Sequence, residues 1–122
     1  MTREIGNSGY GLLTNGVVIA DSNAKRLHFR ANVYNNDGAT VSANEDVTFF
    51  FDSATGSVVR YDTNGGYTSG VVNRVSDVTF GYIDYVGGVR LPATAAPTTD
   101  TGRIEITLTV FLPDIAGQAI KR

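Results

Sequence analysis

The sequence predicts a mainly β domain of the α+β class: an antiparallel sheet with one short helical segment at its N-terminus. Three observations point there. Apolar residues recur at every second position in several separate stretches, the period of a strand with one buried face. Clusters of Gly, Asn and Asp suited to tight turns divide those stretches. No run of more than about ten residues carries the i, i+3, i+4 spacing of an amphipathic helix.

Residues 2–8 can form one helical turn. Gly6, Gly9 and Gly11 cut it short, since each glycine disfavours helix by about 1 kcal/mol relative to alanine. In KRLHFRANVY, Leu27, Phe29, Ala31 and Val33 point one way, and Arg26, His28, Arg30 and Asn32 point the other. That is a half-buried antiparallel strand, and NNDG at 35–38 ends it with turn chemistry. DVTFFFD at 46–52 sets Val47, Phe49 and Phe51 on one face and Phe50 on the other, so both faces need some cover. SATG then turns the chain into SVVRYD at 57–62, a hairpin pattern.

After the loop TNGGYTSG, Val78, Phe80 and Tyr82 alternate with Thr79, Gly81 and Ile83. Gly87-Gly88 is a hairpin turn signal. Residues 92–102, PATAAPTTDTG, hold two of the three prolines and cannot be a central strand. The cleanest alternation comes last: Ile104, Ile106, Leu108 and Val110 against Arg103, Glu105, Thr107 and Thr109. The pattern places Phe29, Phe49, Phe80, Ile106 and Leu108 together on the buried side. Such a sheet must have its apolar face covered, by a second sheet or by a helix, and the chain contains little helix.

At 122 residues the chain reads as one domain with one core. A net charge of −2 with no basic block disfavours a nucleic-acid partner. The absence of cysteine removes disulfides, thiolate metal sites and cysteine nucleophiles. No apolar run approaches the roughly 20 residues that span a bilayer.

Signals for chemistry are sparse, and no catalytic or cofactor-binding residue is assigned. His28 is the single histidine; on the polar side of its strand between Arg26 and Arg30, it reads as a solvated residue. GNSGY at 6–10 lacks the last glycine of a nucleophile elbow, and no phosphate-binding loop occurs. Glu45 and Asp46 are adjacent on a strand, so they face opposite ways and cannot converge as a catalytic pair. Asn36, Asp37, Glu45 and Asp46, with Asn35 and Asn44, are hard oxygen donors of the kind Ca²⁺ takes. Their spacing fits no EF-hand, and turn chemistry is the favoured reading. Tyr10, Tyr61, Tyr67, Tyr82 and Tyr85 could form a carbohydrate platform, although cross-strand packing is commoner for tyrosines in a β chain.

Three segments carry a more specific likeness. REIGNSGYGL at 3–12 resembles the end of the long N-terminal helix of type IV pilin-like proteins, in particular minor pilins and pseudopilins of the PilW or GspJ type. VNRVSDVTFGYID at 72–84 resembles a characteristic strand of that family, and RIEITLTV at 103–110 its closing strand. NEDVTFFFD with SVVRYD is similar to the middle hairpin. The resemblance implies a pilin-like head in which the sheet packs on the short C-terminal remnant of an N-terminal helix. Residues 1–10 would be that remnant and residues 17–122 the β-rich region of a single head domain, 1–122.

The resemblance further implies a non-catalytic subunit of a type IV pilus or type II secretion pseudopilus. Such a subunit is held in the inner membrane by a preceding apolar helix, with its head in the periplasm or, once assembled, outside the cell. Its partners would be other pilin or pseudopilin subunits. The prepilin leader and its apolar helix have no counterpart in these residues, so the likeness places the chain after that helix. The family's frequent C-terminal cysteine pair is also missing, leaving packing alone to hold residues 92–102. Assembly contacts are expected at Ile5, Tyr10, Leu12 and Leu13 and along 92–102, with the chain alone monomeric or weakly associating. The alternative is a stand-alone β-sandwich binding module, for carbohydrate among other ligands.

Overall fold

Apolar alternation produces two sheets here, and each covers the other. The structure is a computed structural model that describes residues 1–10, 12, 14–32, 40 and 43–111. Among the described residues, helix α1 (Thr2–Gly6) is followed by a 3-10 turn (Ile19–Asp21) and seven strands. These are β1 (Arg26–Arg30), β2 (Asp46–Asp52), β3 (Ser57–Asp62), β4 (Tyr67–Val72), β5 (Val75–Val86), β6 (Val89–Arg90) and β7 (Thr101–Val110). One antiparallel sheet has the order β1-β2-β3-β4, the other β6-β5-β7.

The expectation of a sheet packed on a helix is therefore corrected: the domain is all-β. Helix α1 has five residues and ends at Gly6, so it is too short to form a layer; among its described side chains Ile5 is the buried one. The cover comes from β5. Its Val75, Val78, Phe80 and Tyr82 join Leu27, Phe29, Val47, Phe49 and Val58 of the first sheet in one core. Register explains the match within the first sheet, where Leu27 lies opposite Phe49 and Phe29 opposite Val47. Cross-strand neighbours share a face, and the Phe29 and Phe49 rings stack 5.9 Å apart.

Polar bonds tie the sheets together at one end. The Lys25 ammonium donates to Asp77 Oδ1 at 2.7 Å and to the Val78 carbonyl at 3.0 Å. The Phe80 amide donates to the Ala24 carbonyl at 2.7 Å. Within the core, the Tyr82 hydroxyl finds the Asn23 and Arg26 carbonyls at 2.9 and 3.0 Å, as a buried tyrosine must. Burial pushes its pKa well up.

The N-terminal segment crosses the end of β1 at very close range. The Gly9 amide donates to the Arg30 carbonyl at 2.8 Å, and the Arg30 amide to the Gly16 carbonyl at 2.7 Å. Gly16 has φ +78°, and a Cβ there would collide with the Arg30 carbonyl and the Gly9 backbone.

One core assignment fails. Phe29, Phe49 and Phe80 are buried, and Ile106 is half-buried, but Leu108 is 37% exposed. Strand β7 is an edge of its sheet, and alternation reports which face a residue occupies without reporting how far the opposing layer extends. Ile83, on the opposite face of β5, is 1% exposed. Segment 92–102 runs along that side. Thr94 exchanges two backbone bonds with Tyr82 at 2.8 and 2.9 Å, and Thr98 and Thr101 donate to the Asp84 carboxylate at 2.8 and 2.7 Å.

Candidate functional site

Two surfaces hold the residues with functional potential. The first is the outer face of the four-stranded sheet, where β1 presents Arg26, His28 and Arg30, and β2 presents Asp46, Thr48 and Phe50. The 3-10 turn folds back over β1: the Val18 amide donates to the His28 carbonyl at 2.8 Å. The Ser22 hydroxyl accepts from the His28 amide at 3.0 Å. This brings Asp21 to the His28 ring.

The result is a chain of alternating charge. Arg26 Nη1 donates to Asp21 Oδ1 at 3.0 Å, and Asp21 Oδ2 lies 2.9 Å from His28 Nδ1. His28 Nε2 meets Asp46 Oδ1. Arg30 Nε donates to Asp46 Oδ2 at 3.0 Å. The Thr63 hydroxyl adds a bond to Asp46 Oδ1 at 3.2 Å. Burial acts to raise the Asp46 pKa, but the bonds from His28 and Arg30 together hold it below the usual carboxylate range. Asp21 is held low by the Arg26 hydrogen bond first; burial opposes it, and the His28 hydrogen bond adds to the lowering.

The His28 side chain is only 14% exposed, which corrects its reading as a solvated strand residue. Sequence could not reveal this, because Asp21 arrives through a turn and Asp46 through strand pairing. The arrangement is structural in character. Both ring nitrogens face carboxylates, so neither is left to take a proton from a substrate. The two aspartates sit on opposite edges of the ring and do not converge on a point where an ion could bind. Among the described residues no group of three or more His, Asp or Glu side chains could hold a metal ion.

Of the calcium candidates, Asn36 and Asp37 lie outside the described residues. Glu45 is 1% exposed, and Asp46 is committed to His28 and Arg30. The tyrosines whose side chains are described form no common platform. Tyr82 is in the core, Tyr61 is on the outer face of the first sheet, and Tyr85 packs against Gly102 on the second. The Tyr67 side chain lies outside the described residues. Beside His28 the same face does form a shallow cleft, lined by Arg26, Thr48, Phe50, Tyr61 and Thr68. The Arg26 guanidinium stands 5.8 Å from the Phe50 ring centroid there.

The second surface is the meeting of α1 with β7. Arg60 on β3 holds Glu4 of α1 by two bonds, at 2.9 and 2.8 Å. Ile5 thereby enters the core, and its assignment to an exposed contact face is corrected. Tyr10 is 62% exposed, Leu12 is half-buried, and Leu13 lies outside the described residues. Next to α1 runs a groove of about 290 Å³, floored by Ile5, Val17, Ile104 and Ile106. Beyond it the same face of β7 continues into solvent as Leu108 and Val110, with Phe111 following; they are 37%, 45% and 61% exposed. Of these, Leu108 was expected in the core. The missed signal was the edge position of the strand, which follows only from the pairing.

Compared with models of protein families, with curated proteins and with solved structures, the chain matches none.

Proposed function

We propose that this chain is a non-catalytic structural subunit, a minor pilin or pseudopilin of a type IV pilus or type II secretion pseudopilus. It would work from the inner membrane, with its head in the periplasm or, after assembly, outside the cell. The observation that carries this reading is the uncovered apolar face of β7 beside α1. A row of Ile104, Ile106, Leu108 and Val110 that loses its cover along its length is the kind of surface that marks a protein contact. Two of the segments that bear the family likeness, 3–12 and 103–110, also meet there, since Ile5 and Ile106 line one groove. The self-satisfied His28 cluster adds to the non-catalytic side of the reading.

The test is replacement of Leu108 by Glu in the native host. A control, Thr107→Glu, lies on the opposite face of the same strand. Leu108→Glu should abolish incorporation into the filament while the chain remains folded, and Thr107→Glu should be tolerated. Normal incorporation of a folded Leu108→Glu protein overturns the reading.

A second reading, a stand-alone β-sandwich binding module, is favoured by the cleft on the four-stranded sheet. Phe50 and Tyr61 there offer ring faces to a sugar, and Thr48 and Thr68 offer hydroxyls. Glycan titration decides it: tight binding that Tyr61→Ala removes would favour this module over the subunit.

A further inference from the structure

The geometry points to the open edge of β7 as a two-fold contact with a second copy of this chain, centred on Ile104. Backbone direction comes first. Tyr82 has both its amide and its carbonyl bonded to Thr94 on the far side of β5. Ile104, the residue opposite Tyr82, therefore turns its own N–H and C=O away from β5 and toward the open edge. Phe80 likewise sends its amide to Ala24, so its opposite number, Ile106, also faces outward. Among the described residues no strand pairs with that edge. Unpaired outward groups on a strand are a template for another strand.

The side chains specify which strand. Arg103 and Glu105 flank Ile104 on the exposed face. Run antiparallel about Ile104, the triplet Arg-Ile-Glu is its own complement. Arg103 then opposes the partner's Glu105, and Glu105 opposes the partner's Arg103, while Ile104 exchanges both backbone bonds with the partner's Ile104. Opposite charges directly across a ladder favour pairing, and like charges oppose it. The contact is short, because Asn15 Nδ2 already donates to the Thr101 carbonyl at 3.0 Å, which confines pairing to residues 102–106. A weak, concentration-dependent dimer is the expected result. The contact stands on β7 alone and does not depend on the subunit being pilin-like.

The full chain tests this by sedimentation equilibrium over a concentration series at low salt. Arg103→Glu and Glu105→Arg should each weaken self-association by about tenfold or more, through like charges placed opposite one another. The double exchange should restore it to within about threefold of the starting chain. Because the chain has no cysteine, a single thiol reports the register. Ile104→Cys should form a disulfide-linked dimer under mild oxidation, since hydrogen-bonded partners lie about 5.5 Å apart, within disulfide reach. Thr107→Cys, which is off the two-fold, should not. A strictly monomeric chain, or a double exchange that fails to restore association, overturns the proposal. Equal crosslinking of the two thiols overturns it as well.

Discussion

Arg60 and Glu4, 56 residues apart, are joined by two parallel hydrogen bonds, from Nε to Oε1 and from Nη2 to Oε2. This fork links α1 to β3 across the end of the sandwich and leaves the Arg60 side chain 11% exposed. Paired geometry of this kind is stronger than a single ionic contact. Arg60→Ala should cost about 1–3 kcal/mol in urea unfolding. In a double-mutant cycle with Glu4→Gln, the two substitutions should be clearly non-additive. Simple additivity would mean that the fork contributes nothing.

The core makes a graded expectation. Phe49 is completely buried between the two sheets, and Phe49→Ala should cost about 3–5 kcal/mol. Leu108 on the edge strand is 37% exposed, so Leu108→Ala should cost under about 1 kcal/mol. Denaturant unfolding of both variants checks the order. Comparable losses would place Leu108 in the core after all.

Acid should weaken the fold through Asp46. Its folded pKa is held below the ordinary value, so its contribution is fully present above about pH 4, the unfolded value. It is lost as the pH falls through the lower folded value, because the unfolded chain binds the proton more readily. Asp46→Asn should reduce the slope of stability against pH in that acid range. Urea unfolding from neutral pH downward measures it, and an unchanged slope would remove Asp46 from the account.

Gly16 is expected to tolerate no side chain. Its positive φ and its contact with the Arg30 carbonyl leave no room for one. Gly16→Ala should cost more than about 1 kcal/mol, whereas Gly66→Ala, with nothing near its missing Cβ, should show only the backbone penalty. Thermal unfolding of the pair separates the steric cost from the conformational one.

These contrasts show what the sequence makes legible. The strands themselves are readable, because alternation at Leu27 and Phe29, at Val47 and Phe49, and at Val78, Phe80 and Tyr82 survives into the folded core. What covers them is not readable from the pattern. A second sheet and a helix both bury an apolar face, and five helical residues ending at glycine could not decide between them. Leu108 went astray because strand order is a long-range property. His28 did so because its partners come from a turn and from a paired strand, and neither is visible in its neighbours. The cleft beside Tyr61 is hidden for the same reason, since it forms from residues spread over four strands and a turn.

The most direct trial of the subunit reading is photo-crosslinking in the native host, with a photoreactive residue at position 108 of the full-length protein. The account predicts a covalent adduct between position 108 and a pilin-like subunit, and none from position 61 on the opposite sheet. An unlinked position 108, with adducts forming at position 61 instead, would contradict it.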